Sequence, residues 1–140
     1  MTLKSLIKKS LREGLEKKIA AGVLIKAKST DKVLLLLRND KTPIWSLMSG
    51  CIEDGETILA GLKREITEEL SISPEKISFK FIGVEKPNDK DEFHYYQGLT
   101  NSEFVPTLDH ENLEYKWVDM DDIPEPLYKG LKEKIKKFYE

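Results

Sequence analysis

A single cysteine, Cys51, stands in 140 residues, so no internal disulfide can brace the fold, and the chain suits a reducing compartment. Long apolar runs are missing too. The longest, Val33 to Leu37, is far too short to span a bilayer, and Lys4, Lys8 and Lys9 interrupt the N-terminus before a secretory leader can form. Repeats, low-complexity tracts and linker-like stretches are absent. Neither sign of charge dominates: 23 Lys/Arg against 25 Asp/Glu leave a formal net charge of -2, which gives no global reason to expect a nucleic-acid partner. These absences lead to the expectation of a soluble, cytoplasmic protein with no membrane partner, folded as one domain over 1–140.

What is present describes an ordinary globular chain, 39% hydrophobic and 34% charged. The charge is uneven. Residues 1–18 carry six Lys/Arg against Glu13 and Glu16, leaving that segment at +4 and the remainder at -6. Leu3, Leu6, Ile7, Leu11 and Leu15 fall at helical spacing, so an amphipathic helix is expected at about 3–18, either docked on the domain or facing a membrane surface or partner.

Two strands are expected at Ala20–Lys28 and Lys32–Arg38, the second apolar enough to be buried on both faces. A short extended piece at Ile44–Met48 leads to the Ser49-Gly50 loop, and a helix follows over Thr57–Leu70 with Ile58, Leu62, Ile66 and Leu70 as its core stripe. Ile77–Glu85 and Glu92–Thr100 read as strands joined through the turn Lys86-Pro87-Asn88-Asp89. A strand at Tyr115–Val118 and a final helix at about Leu127–Tyr139 complete the pattern, with Leu131, Ile135 and Phe138 facing inward. Strands and helices mixed without regular alternation point to an α+β fold or an α/β/α sandwich.

The informative stretch is residues 50–72, GCIEDGETILAGLKREITEELSI. Glu65, Glu68 and Glu69 crowd one helix face, where like charges repel by a few tenths of about 1 kcal/mol per pair. Such a cluster is either a solvated face or a platform for hard divalent cations, which take oxygen ligands and bridge carboxylates to phosphates. Glu56 lies outside the cluster and Arg64 beside it; an ion pair between them would hold the preceding loop against the helix.

This stretch resembles the Nudix box: glycine, five residues, Glu, seven residues, then Arg-Glu-apolar-any-Glu-Glu-any-Gly-apolar. Gly50, Glu56, Arg64, Glu65, Ile66, Glu68, Glu69 and Ile72 fall on matching positions. Ser71 stands where the box has Gly, at a helix end where a left-handed residue is common. Leu47-Met48-Ser49-Gly50 replaces the Leu-Pro-Gly-Gly often seen upstream. The resemblance implies a Nudix fold, a mixed sheet between helices, and hydrolysis of the pyrophosphate in a nucleoside diphosphate linked to another moiety.

It implies further that Glu65, Glu68 and Glu69 bind Mg²⁺ or Mn²⁺, that the Ser49 carbonyl is a further ligand, and that Glu56 and Arg64 are an orienting pair. Many members add an acidic group from a late loop before a Trp. Glu111, in HENLEYKW, occupies such a place and is preferred to Glu114, with His110 a weaker candidate. Water attacks phosphorus, and one of Glu65, Glu69 or Glu111 serves as base.

For the rest of the substrate, Arg38 at a strand end is a candidate phosphate contact, with an exposed salt bridge as the alternative. Trp45 and Tyr96 are candidates for stacking on a base. Pro87, fifteen residues past the box, tilts the reading towards nucleotide sugars such as ADP-ribose, and Asp89 and Lys90 stand where a tyrosine would indicate dinucleoside polyphosphates. The expected partner is a small nucleotide, and the expected state a monomer or homodimer. Two other readings stay open: a nucleotide-binding regulatory module with little turnover, and an RNA 5′-end pyrophosphohydrolase supported by the basic residues 1–18.

Overall fold

Residues 17–138 are described by a computed structural model of the chain. Its central sheet is built from β1 (Ile19–Ala27), β2 (Val33–Arg38), β3 (Trp45–Ser46), β4 (Met48–Cys51), β5 (Ser78–Glu85), β6 (Glu92–Thr100) and β7 (Asn112–Val118). The strand path is β3-β2-β1-β6-β5, with β4 added to β1 and β7 to β2. β1 and β6 run parallel, Ile19 opposite Glu92 through Ala27 opposite Thr100, while the β1–β2, β1–β4, β2–β7 and β5–β6 pairs are antiparallel. The sheet is therefore mixed, as the expected α+β fold requires.

β1 and β2 touch in register only at Lys26 opposite Val33. Beyond that hairpin the strands part, and β4 enters beside the first half of β1 while β7 lines β2. The parting leaves β4, which leads into the box loop, on β1, and β7 on β2, whose end carries Arg38.

Each face of the sheet carries one core layer, because strand residues alternate sides. Val23, Ile25, Leu34, Leu36 and Met48 meet Leu62, Ile66 and Leu70 of helix α1 (Ile58–Leu70). Leu24, Leu35, Phe93 and Tyr95 meet Leu131 and Ile135 of helix α2 (Leu131–Phe138) on the other side. The α/β/α layering follows from the apolar runs in β1 and β2, whose side chains are buried on both faces. Each fully buried Leu or Ile contributes about 1.5–3 kcal/mol.

Helix α1 starts where Thr57 accepts the Ala60 N–H at 3.2 Å, an N-cap that satisfies one orphan donor. It ends at Ser71, in the left-handed region at φ 55 and ψ 40, with its N–H donating to the Thr67 carbonyl. A side chain in that region costs about 1 kcal/mol that glycine avoids. Ser71→Gly should therefore stabilise the protein by about 1 kcal/mol, raising Tm by about 2–4 °C in a thermal melt; a lower Tm would show that the serine side chain contributes something more.

Three expected boundaries shift by more than one residue, the first at β7, which begins at Asn112 rather than Tyr115. The expected strand at Ile44–Met48 is instead two short strands, since β3 pairs with β2 and β4 with β1. The last helix begins at Leu131 rather than Leu127. Leu127 bridges Trp45, whose N–H donates to the Pro126 carbonyl and whose carbonyl accepts the Tyr128 N–H, and Gly130 at φ 84 breaks any helix before 131. The expected helix at 3–18 lies outside the described residues apart from Lys17 and Lys18, which lead into β1 without helical structure. The Phe138 side chain lies outside them as well. Among the described residues, no helix is long and apolar enough to cross a membrane.

Candidate active site

The loop from Glu53 to Glu56 turns on Gly55, at φ 85, and closes with the Glu56 N–H donating to the Glu53 carbonyl at 3.2 Å. Arg64 then locks it to the helix. Its Nε donates to Glu56 Oε2 at 2.8 Å and its Nη2 to Glu56 Oε1 at 3.0 Å, a two-pronged pair, while Nη2 also reaches the Cys51 carbonyl at 3.0 Å. Glu56 Oε1 additionally accepts the Glu53 N–H at 2.8 Å. These bonds hold the Glu56 carboxyl below its usual range and push the Arg64 guanidinium higher still, so both stay charged. Arg64 Nη1 lies 3.1 Å from both Glu65 Oε1 and Glu68 Oε2, reducing the repulsion along the acidic face.

Glycines let the loop, β4 and the helix close on one another. A Cβ on Gly50 would lie 2.4 Å from Cδ and Cγ of Glu65, and one on Gly61 would meet Ile52 Cδ1 at 2.7 Å and Glu56 Oε1 at 3.0 Å. Gly50 sits in β4 directly after the buried Ser49, so the Glu65 carboxyl lies over bare backbone. In Gly50→Ala the flexible Glu65 side chain must move while the strand stays put. We expect a near-native Tm with turnover down about 100-fold, the scale of an ångström-sized misplacement. Unchanged kcat would show that the Glu65 position does not matter.

Glu69 lies deepest, 1% exposed. Its Oε1 accepts Asn112 Nδ2 at 3.0 Å and Arg38 Nη1 at 3.3 Å, whereas Oε2 is buried without a hydrogen-bond partner. Burial pushes the Glu69 carboxyl up to about 8, with Glu65 and Glu111 adding to the rise and Arg38 and Asn112 opposing it. Burial also raises Glu65, against the pull of Arg64. A buried carboxylate oxygen with no donor beside a second carboxyl is costly alone and complementary to a cation. The oxygen-only donor set fits Mg²⁺ or Mn²⁺. Among the described residues, however, no three acidic, His or Cys side chains converge on one point. Glu65 and Glu68 turn to Arg64, and the 56%-exposed Glu68 side chain is the one free to swing.

The loop after β6 closes over the helix end. Thr107 and Asp109 N–H groups donate to the Leu70 and Glu69 carbonyls, satisfying acceptors the helix leaves open. The same loop delivers Glu111, whose Oε2 lies 3.5 Å from Arg38 Nη2, whereas Glu114 is exposed on β7 and His110 on the loop. Arg64 thus contacts Glu56, Glu65 and Glu68, Arg38 contacts Glu69 and Glu111, and Ser49 directly precedes the glycine that lies under Glu65.

One sequence expectation comes out differently. Arg38 is neither an exposed salt bridge nor a surface phosphate contact: it is 1% exposed, its Nη1 and Nη2 are taken by Glu69, Asn112 and Glu111, and its Nε is buried. Trp45 and Tyr96, each a candidate for stacking on a base, lie on opposite faces of the sheet, Trp45 in the α2 layer and Tyr96 in the α1 layer against Phe79 and Phe81. Pro87 is exposed in the β5–β6 connection, where the Asn88 side chain accepts the Lys90 and Asp91 N–H groups. Asn112, missed in the sequence, is 5% exposed and hydrogen-bonded to Glu69; an amide at the head of a strand carries no local signal for such a contact.

A family model described as the NUDIX domain matches residues 16–140. The dihydroneopterin triphosphate diphosphatase of Escherichia coli (strain K12) is 32% identical over 112 residues, 69% of this chain and 75% of that protein. A Caenorhabditis elegans Ap4A hydrolase in binary complex superposes with a TM-score of 0.70 at 23% identity, covering 86% of this chain and 94% of that one. The NUDIX domain of Shewanella oneidensis NrtR complexed with ADP ribose gives 0.73 at 16% identity, covering 98% and 96%. At these identities the two structures share the fold.

Proposed function

The chain belongs to the Nudix family of pyrophosphohydrolases, and from that premise we propose that it hydrolyses the pyrophosphate of a nucleoside triphosphate or a similar diphosphate-linked nucleotide with Mg²⁺ or Mn²⁺. The observation that carries this reading is Glu69 Oε2, a buried carboxylate oxygen without a donor, in the same acidic cluster as Glu65, Glu68 and Glu111. Glu65, Glu68, Glu69, Glu111 and the Ser49 carbonyl would hold the metal. When bound, it supplies neutralisation of the phosphate charge and an acidified water.

The chain's own groups do the rest. Glu56 and Arg64 fix the loop and the first turns of α1, so the carboxylates keep their spacing while substrate enters. Glu65 and Glu69 are the base candidates on the helix side, and burial raises the proton affinity of both in the metal-free site. Glu111, more exposed, stays a candidate base from the loop side.

Dihydroneopterin triphosphate is the first substrate to try, on the strength of the relative that is 32% identical. ADP-ribose comes second, supported by the placement of Pro87. The test is incubation with Mg²⁺ or Mn²⁺ and a panel of dihydroneopterin triphosphate, nucleoside triphosphates, ADP-ribose, dinucleoside polyphosphates and triphosphate-ended RNA, with products separated by chromatography. Release of pyrophosphate from a triphosphate is the expected result. If no compound is cleaved with either metal, the binding-module reading replaces this one.

A further inference from the structure

The β2–β7 ladder slips by one residue beside the acidic cluster. Leu37 lies opposite Glu114, but Arg38 lies opposite Asn112, so Leu113 is an extra residue in β7 and is left 49% exposed. Without the slip, strict alternation would put Asn112 on the α2 face, away from Glu69. The bulge turns Asn112 to the α1 face beside Arg38 at the cost of an exposed leucine, and bulges commonly re-aim a side chain in this way.

The re-aimed Asn112 and its neighbour Arg38 converge on one atom. Asn112 Nδ2 and Arg38 Nη1 both donate to Glu69 Oε1, at 3.0 and 3.3 Å, and Arg38 Nη1 also lies 3.3 Å from Asn112 Oδ1. The other end of the guanidinium reaches Glu111 at 3.5 Å, and the Asn39 N–H donates to the Glu111 carbonyl at 2.9 Å. Burying a cation here is costly, and an apolar residue would fill the space more cheaply. A positive charge beside a metal ligand also opposes the ion by simple repulsion. Its benefit must be geometric.

We propose that Arg38 and Asn112 are positioning residues, which occupy Glu69 Oε1 so that Oε2 alone is presented, and which tie that oxygen to the loop carrying Glu111. The proposal rests on the reading of Glu69 as a metal ligand. It assigns Arg38 to the carboxylates rather than to the substrate, and it gives the bulge at Leu113 a purpose.

The test is Mn²⁺ binding to the whole chain without substrate, followed by electron paramagnetic resonance, for wild type, Arg38→Lys and Asn112→Ala, with circular dichroism to verify the fold. Arg38→Lys keeps the charge but loses the fork that spans Glu69, Asn112 and Glu111. Both variants should bind Mn²⁺ about 10–100-fold more weakly, the usual scale for groups that orient a ligand. If Arg38→Lys and Asn112→Ala bind within twofold of wild type, the proposal falls while the metal reading stands. If wild type binds no Mn²⁺, the metal reading fails and the proposal with it. Should Arg38→Lys not fold, Asn112→Ala decides alone, since it leaves Arg38 in place.

Discussion

Mn²⁺ affinity should rise about tenfold per pH unit between pH 6 and 8 and then level off, with one proton released per ion bound on the acid side. The expectation follows from Glu69, whose carboxyl is held up at about 8 by burial and by Glu65 and Glu111. Below that value the site holds a proton where the cation must sit, so proton and metal compete, and raising the pH favours the metal. Above it the carboxylate is already ionised, and the dependence vanishes. Linkage fixes the sign: the species that binds fewer protons gains as pH rises. Calorimetry in two buffers of different ionisation enthalpy measures the proton count directly. In Glu69→Gln the slope should flatten and turnover should drop about 10²–10⁴-fold, the range for loss of a positioned proton acceptor. An unchanged slope in that variant would place the linked proton elsewhere and remove Glu69 from the metal site.

Glu68→Gln should lower kcat about 10²–10³-fold while leaving Tm unchanged. Among the three helix carboxylates, Glu68 has the most exposed side chain, and it accepts a hydrogen bond from Arg64 Nη1 at 3.1 Å on the surface. An exposed pair of that kind adds little to stability. The loss in rate comes from the transition state, where a carboxylate helping to hold a divalent cation is worth several kcal/mol and each 1.36 kcal/mol is about tenfold. The contrast with Glu69 is informative: one carboxylate is buried and proton-linked, the other exposed, and both belong to the same face. Retained turnover in Glu68→Gln would show that the face does not act as one metal platform.

The acidic helix was legible because it is local. Thr57 as N-cap, the stripe of Ile58, Leu62, Ile66 and Leu70, the Glu56–Arg64 pair and the left-handed Ser71 all depend on residues within about two turns of one another, and each stands as the sequence suggests. The strand boundaries at β6 and the double-sided burial of β2 were legible for the same reason. Arg38 was not. A strand-end arginine looks exposed until β7 and the loop after β6, more than 60 residues downstream, close over it. Asn112 carries no periodic signal, and its face is set by a one-residue bulge that alternation alone would misassign. Gly50 reads as part of a loop, yet it is a strand residue, and its missing side chain leaves room for Glu65 over it. The start of α2 moved because Leu127 is drawn into a bridge with Trp45, a contact across 82 positions.

The sequence by itself determined the kind of chemistry: oxygen donors at i, i+3 and i+4 behind a glycine-hinged loop, because helical spacing is a property of consecutive residues. Only the tertiary structure decided how those donors differ. Desolvation, the proton affinity of Glu69, the partners of Arg38 and the separation of Trp45 from Tyr96 all depend on what packs against a residue from distant parts of the chain, and that is set when the sheet layers close.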